Sequence, residues 1–244
     1  MRVFRPTVSV YWRDSYLSSH SSQIVKAVPD ERKFWYVVLD ETIFHPKGGG
    51  QPSDKGFQRG TGFKLEDRKA MFSEAVVVHW GKLLDGSPEL GPVNAQVDWD
   101  WRYLLMRRHS AAHLLDYSLA QVVGHDAVTL DSWLGDPCYV AYRGDPPSQD
   151  QFAQIEKVEN ETVTRGGVIQ ARQVAADEVH SSFSDSPNLE RLPSRKQLRL
   201  VTIEGCRPIA CSGTHLHDIS EAGGIKVKRL EKIPEGFRIR FDLE

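Results

Sequence analysis

The chain has 244 residues, 40% of them hydrophobic and 26% charged, with a formal net charge of −2. That length is comfortable for two domains, and that composition is ordinary for a soluble globular protein. The charge excludes a protein that coats nucleic acid through bulk positive potential, and no apolar run is long enough to cross a membrane.

The N-terminus, Met1-Arg-Val-Phe-Arg-Pro6, lacks the uninterrupted apolar stretch of a secretion signal. Residues up to about 98 read as β structure: Gln23–Val28, Phe34–Asp40, Phe63–Asp67, Ala75–Trp80 and Asn94–Asp98 are β-prone runs separated by turn signals. Strands spaced this way suggest a small barrel. Pro46-Lys-Gly-Gly-Gly-Gln-Pro52 interrupts them and reads as a loop with close backbone approach.

The pattern changes after Trp101. Arg102–Val123 contains no Gly or Pro, and Leu105, Ala112, Leu115, Leu119 and Val122 fall on one helical stripe. Thr129–Leu134 and Cys138–Arg143 read as a strand pair around Gly135-Asp-Pro137. Ser148 starts a second helix, with Gln151 as capping-box partner, running to about Thr164 and stopped by Gly166-Gly167. Gln170–Gln173 and Leu198–Ile203 read as strands, and Ala176–Pro193 as a polar loop or short helix. Ile225–Leu230 and Phe237–Leu243 form a hairpin through Pro234-Glu-Gly236. The second half is therefore a mixed helix-and-sheet domain, and the class is α+β.

His109 and His113 stand at i and i+4 on the first helix, so both imidazoles share a face within chelating reach of one ion. Cys211-Ser-Gly-Thr-His215 is a second such pair, on a loop that follows the Leu198–Ile203 strand. Three imidazoles and a thiolate suit one tetrahedral Zn²⁺. Four protein ligands also fit a zinc that only staples the sheet to the helix, because catalytic zinc usually keeps an open position. His217, if extended, faces away from the set, and His45 reads as a loop residue. Cys138 and Cys206 read as packing residues. Asp116, one turn beyond His113, is within reach of a ligating imidazole, although an exposed helix carboxylate is the simpler reading. Three cysteines make no disulfide framework and point to a reducing cytoplasm. Basic residues cluster at Arg102, Arg107 and Arg108, at Arg191, Arg195, Lys196 and Arg199, and at Lys226, Lys228 and Arg229; each taken alone reads first as a solvated face.

Four segments occur in order: Phe44-His-Pro-Lys-Gly-Gly-Gly-Gln-Pro-Ser-Asp-Lys-Gly56, Val97-Asp-Trp99, Met106-Arg-Arg-His-Ser-Ala-Ala-His-Leu-Leu115 and Ala210-Cys-Ser-Gly-Thr-His-Leu216. Together they resemble the free-standing alanyl-tRNA editing proteins, the AlaX type, relatives of the editing domain of alanyl-tRNA synthetase. Asn160 and Leu198–Ile203 add weaker matches. The resemblance implies hydrolysis of the ester of Ser-tRNA(Ala), and often of Gly-tRNA(Ala). It implies one Zn²⁺ on His109, His113, Cys211 and His215, through which catalysis would run. Gly48, Gly49 and Gly50 would lie over the editing pocket, with Gln51 helping to recognise the wrong amino acid. The implied fold is a translation-factor-like β-barrel at 1–98 followed by a two-layer α/β editing domain at 99–244. The implied partner is mischarged tRNA(Ala), with no membrane and no obligate protein partner.

The chain departs from the family pattern at Ser110, which keeps a hydroxyl for substrate where Thr is usual, at Ala112, which has none, and at Ser212, which replaces a Gly. A pocket for alanine cannot strongly reject serine, which only adds a hydroxyl, so a second site that hydrogen-bonds that hydroxyl is needed. For RNA, Arg107 and Arg108 beside the metal helix and Arg199 on the strand before Cys211 are the candidate contacts. Two other readings stay open: an editing hydrolase for another mischarged tRNA such as Ser-tRNA(Thr), and a non-catalytic, zinc-stabilised tRNA-binding module. A zinc protease is disfavoured because no Glu follows the first His.

Overall fold

The computed structural model describes residues 5–175, Glu178 and residues 197–244. It is a mixed α/β protein with a six-stranded closed barrel and two α-helices among the described residues. The chain divides into two compact units: Met1–Gly48 with Pro52–Leu104, and Gly49–Gln51 with Leu105–Glu244. The expected loop or helix at Ala176–Pro193 lies outside the described residues, apart from Glu178. No described helix is long and apolar enough to cross a membrane.

In the first unit β1 (Val8–Ser9) pairs in parallel with β4 (Glu41–Thr42). The barrel strands are β2 (Ser19–Pro29), β3 (Phe34–Leu39), β5 (Gly56–Gly60), β6 (Phe63–Ser73), β7 (Val76–Gly86) and β8 (Gly91–Val97), closed in the order β2-β3-β7-β6-β5-β8. Alternation makes the core: Val93, Ala95 and Val97 of β8 are buried while Asn94 and Gln96 are exposed. They pack with Val37, Leu39, Leu65 and Val77. Closure needs Gly56, where a Cβ would meet the Gln96 carbonyl oxygen at 2.0 Å. Strand β5 has no counterpart among the expected strands, because Gly stands at both of its ends and its central inward residue is the buried Gln58, which donates to Asp67.

Arg102 is fully buried in this unit. Its guanidinium grips the Asp54 carboxylate and donates to the Ser15 and Ile43 carbonyls. It therefore ties three segments of this unit together and offers nothing to RNA, which corrects the grouping of Arg102 with surface arginines.

Helix α1 (Trp99–Val123) begins in the first unit and continues in the second. Helix α2 (Gln149–Arg165) starts on the expected capping box: the Gln151 N–H donates to Ser148 Oγ at 3.2 Å, and the Ser148 N–H to Gln151 Oε1 at 2.9 Å. Gly166, at φ 76°, ends it. The sheet strands of this unit are β9 (Thr129–Trp133), β10 (Tyr139–Arg143), β11 (Ile169–Ala175), β12 (Gln197–Ile203), β13 (Ile209–Ala210), β14 (Ile225–Ile233) and β15 (Gly236–Leu243). They form a four-stranded sheet, β14-β15-β10-β9, and a three-stranded sheet, β11-β12-β13. Asn160 of α2 holds the edge strand by donating to the Ile225 carbonyl at 2.8 Å and accepting its N–H at 2.9 Å.

Candidate metal centre

Helix α1 presents His109 and His113 one turn apart, with ring centroids 4.9 Å from each other. The chain leaving β13 then brings in Cys211 and His215. All four side chains are buried, and their ligand atoms lie within 4.8 Å of one another. Cys211 Sγ stands 3.3 Å from His109 Nε2 and 3.6 Å from His215 Nε2. Donors bound tetrahedrally at about 2.0–2.3 Å are separated by about 3.3–3.6 Å, so these two distances match edges of such a site. Both ring nitrogens of His113 are buried without a hydrogen-bond partner; a cation at the centre would satisfy one of them, and the Asp116 carboxylate faces the other. The donor set thus fits a borderline-soft ion such as zinc.

The electrostatics agree. Burial alone would raise the Cys211 thiol, but His109, His215 and His113 pull it well below its ordinary range. Burial holds the His215 imidazole well below its usual value. Burial opposes the His113 charge too, yet the Cys211 thiolate and Asp116 push its pKa up to about 9. The surrounding imidazoles thus favour the Cys211 thiolate, the form in which cysteine binds a metal.

Outer contacts fix these ligands. Gln51 is fully buried and belongs to the same unit. Its Oε1 accepts from His109 Nδ1 at 2.8 Å and from the Thr214 N–H at 3.1 Å, and its Nε2 donates to Thr214 Oγ1 at 2.9 Å. In that tautomer His109 turns Nε2 toward Cys211. Gly213 is required by the same approach, since a Cβ there would meet His109 Cε1 at 2.1 Å and Gln51 Oε1 at 2.8 Å. Asp116, half-buried, places Oδ2 3.8 Å from His113 Nδ1 and accepts from Tyr142 Oη at 2.7 Å.

A cavity of about 200 Å³ adjoins the cluster, lined by Gly49, Gly50, Ala112, Thr129, Ser132 and Ser212 among others. Gly50 seats the loop on β9: Leu134 N–H donates to its carbonyl at 2.9 Å, and a Cβ would meet Ser132 Oγ at 2.2 Å. A second cavity of about 750 Å³ shares His113, Asp116 and Thr129 with the first.

The expected site residues are thus distributed unevenly. Gly49 and Gly50 line the small cavity, whereas Gln51 and Ser110 do not, and Gly48 belongs to the first unit. Ser110 is fully buried and its Oγ accepts the Leu216 N–H at 3.2 Å. The expected RNA contacts are committed internally. Arg108 is buried and binds the Leu134 carbonyl, Asp136 and Asp242. Arg199 is buried and donates to the Gly213 carbonyl at 2.8 Å. Arg107, half-buried, donates to the Ala222 and Glu244 carbonyls. Sequence reading missed Thr129, Ser132 and Ser212 as cavity hydroxyls, because two sit on a strand that carries no motif.

No family model matches the chain. The alanyl-tRNA editing protein AlaX-M of Methanosarcina acetivorans is 34% identical over 92% of this chain and 94% of its own length. AlaX-M of Methanosarcina mazei is 31% identical, over 92% and 91%. The alanine–tRNA ligase of Ignicoccus hospitalis is 31% identical over 98% of this chain, which spans 26% of that ligase.

Proposed function

The chain belongs to the alanyl-tRNA editing proteins of the AlaX type, and we propose that it is a zinc-dependent deacylase of Ser-tRNA(Ala), with Gly-tRNA(Ala) as a second substrate. The observation that carries this reading is the buried His109, His113, Cys211 and His215 cluster beside a cavity of about 200 Å³. A zinc ion held by these four residues would supply Lewis acidity next to the ester carbonyl.

The remaining work falls to the chain. The small cavity takes the amino acid, with Gly49 and Gly50 close against it and the hydroxyls of Ser132 and Thr129, the latter donating to Asp116, in its wall to meet the serine side chain. Alanine would leave such groups unpaired, which is the physical basis for sparing the correct product. Ala112, which lines the cavity, contributes room. The larger cavity takes the terminal nucleoside, so the ester lies where the two meet, at His113, Asp116 and Thr129. Asp116, held by Tyr142, is placed there to accept a hydrogen bond from water or from a ribose hydroxyl. The closed six-stranded barrel supports reading residues 1–98 as the translation-factor-like part and 99–244 as the editing part.

The test is a panel of Ser-, Gly- and Ala-charged tRNA(Ala) and Ser-charged tRNA(Thr), given to the protein and to His113→Ala, with zinc measured on both. We expect about one zinc per chain, hydrolysis of Ser-tRNA(Ala) over Ala-tRNA(Ala), and loss of at least 10²-fold activity with loss of zinc in the variant. Zinc at full stoichiometry without deacylation would favour the RNA-binding module instead.

A further inference from the structure

The second unit carries an arginine cluster, Arg229 exposed and Arg238 and Arg240 half-buried, that the proposed reaction does not use. On β15 the residues Phe237, Ile239 and Phe241 are buried, so Arg238, Arg240 and Asp242 take the opposite face. On β14 Ile225 and Val227 point inward, and Lys226, Lys228 and Arg229 are exposed. Register sets Arg229 directly across from Arg240, and Glu231 across from Arg238. Like charges directly opposite one another destabilise a sheet, and Glu231 between them offsets that repulsion only in part. Glu231 lies 3.4, 3.7 and 3.0 Å from Arg229, Arg238 and Arg240, and neutralises only one of the three. Lys228 adds a further cation, paired with Asp242 at 2.7 Å. This excess sits on a chain whose net charge is −2.

The location matters. The same sheet's other face walls the small cavity through Ser132 of β9 and Val140 of β10, which pair across the strands. Its strand order places the arginine cluster two to three strands from the β9 edge, a span of roughly 10–14 Å.

We propose that the outer face of β14–β15, centred on Arg229, Arg238 and Arg240, is the docking surface for the phosphate backbone of the tRNA acceptor stem. The single-stranded 3′ end then rounds the β9 edge into the cavity on the other face. Guanidinium groups match phosphate geometry, and Glu231 holds the three in place without cancelling them. The proposal rests on the reading of the chain as a tRNA-editing protein, and it relocates RNA contact from the buried Arg108 and Arg199.

The test measures binding of uncharged tRNA(Ala), which requires no hydrolysis, across a range of salt. Lys228→Ala/Arg229→Ala and Arg240→Gln should each bind tenfold or more weakly at about 0.1 M salt and flatten the slope of log affinity against log salt by about 0.7–0.9 per lost contact. Lys157→Ala, an exposed lysine on α2, should bind as the parent does. Circular dichroism confirms that each variant is folded. Parent-like affinity and slope in both β14–β15 variants would overturn the proposal, as would competition by polyglutamate as effective as that by tRNA. A parent protein that binds through this face but leaves Ser-tRNA(Ala) intact would sink the proposed reaction while the surface stands.

Discussion

Glu159 lies buried on α2 with neither carboxylate oxygen hydrogen-bonded. Burial first, then the charges of Glu156 and Asp116, hold its pKa well above the ordinary carboxylate range. An acid raised in this way favours the folded state fully below its unfolded pKa, and that contribution is lost as pH rises toward the folded value. Glu159→Gln keeps the shape and removes the titration. The variant should match the parent in thermal stability near pH 4 and exceed it increasingly toward pH 8, by up to about 1.4 kcal/mol per pH unit. Thermal melts at several pH values check this, and a constant difference would show that Glu159 does not titrate as argued. Gln51 poses a different question at the same scale. Its amide is hydrogen-bonded to His109 and Thr214, which supports a positioning role as the alternative to the expected one in reading the amino acid. Gln51→Ala should lower zinc affinity by about 10–100-fold, while Gln51→Glu, which keeps an acceptor for His109 Nδ1–H, should lower it less. Unchanged zinc affinity with altered serine-over-alanine selectivity would return Gln51 to substrate recognition.

At the scale of elements, what the sequence makes legible is what local chemistry decides. The capping box at Ser148 and Gln151 and the i, i+4 histidines of α1 are short-range patterns, and each has its expected geometry. The antiparallel β9–β10 and β14–β15 pairs follow from alternation and turn residues between neighbouring runs. Strand β5 was hidden because glycine at its ends and an inward glutamine give no alternating apolar signal. The arginines were illegible for a related reason. Arg102 and Arg108 find their carboxylates at Asp54 and Asp242, 48 and 134 residues away. No local window distinguishes such a side chain from a solvated one. The His109, His113, Cys211 and His215 cluster could be read because each half is local, whereas the cavity hydroxyls of Thr129 and Ser132 could not, since only sheet register turns them toward the cluster.

Across the whole molecule, the candidate metal cluster and the barrel belong to different units. His109, His113, Cys211 and His215, with Gln51, all fall in the second unit, and the barrel core in the first. A ligand stabilises the structure that holds it, by RT ln(1 + [L]/Kd), and a bound zinc therefore protects chiefly the second unit. The barrel has its own apolar core and the Arg102–Asp54 pair, neither of which involves the cluster. Chelation should then raise amide hydrogen exchange in α1 from Leu105 onward and in the β12–β13 segment through Leu216, and leave β2, β3 and β6–β8 close to their metal-bound protection. Mass-spectrometric exchange with and without chelator measures both regions in one experiment. Equal loss of protection in the barrel would mean that the units unfold as one, and unchanged protection in both would mean that the cluster contributes no metal-linked stability.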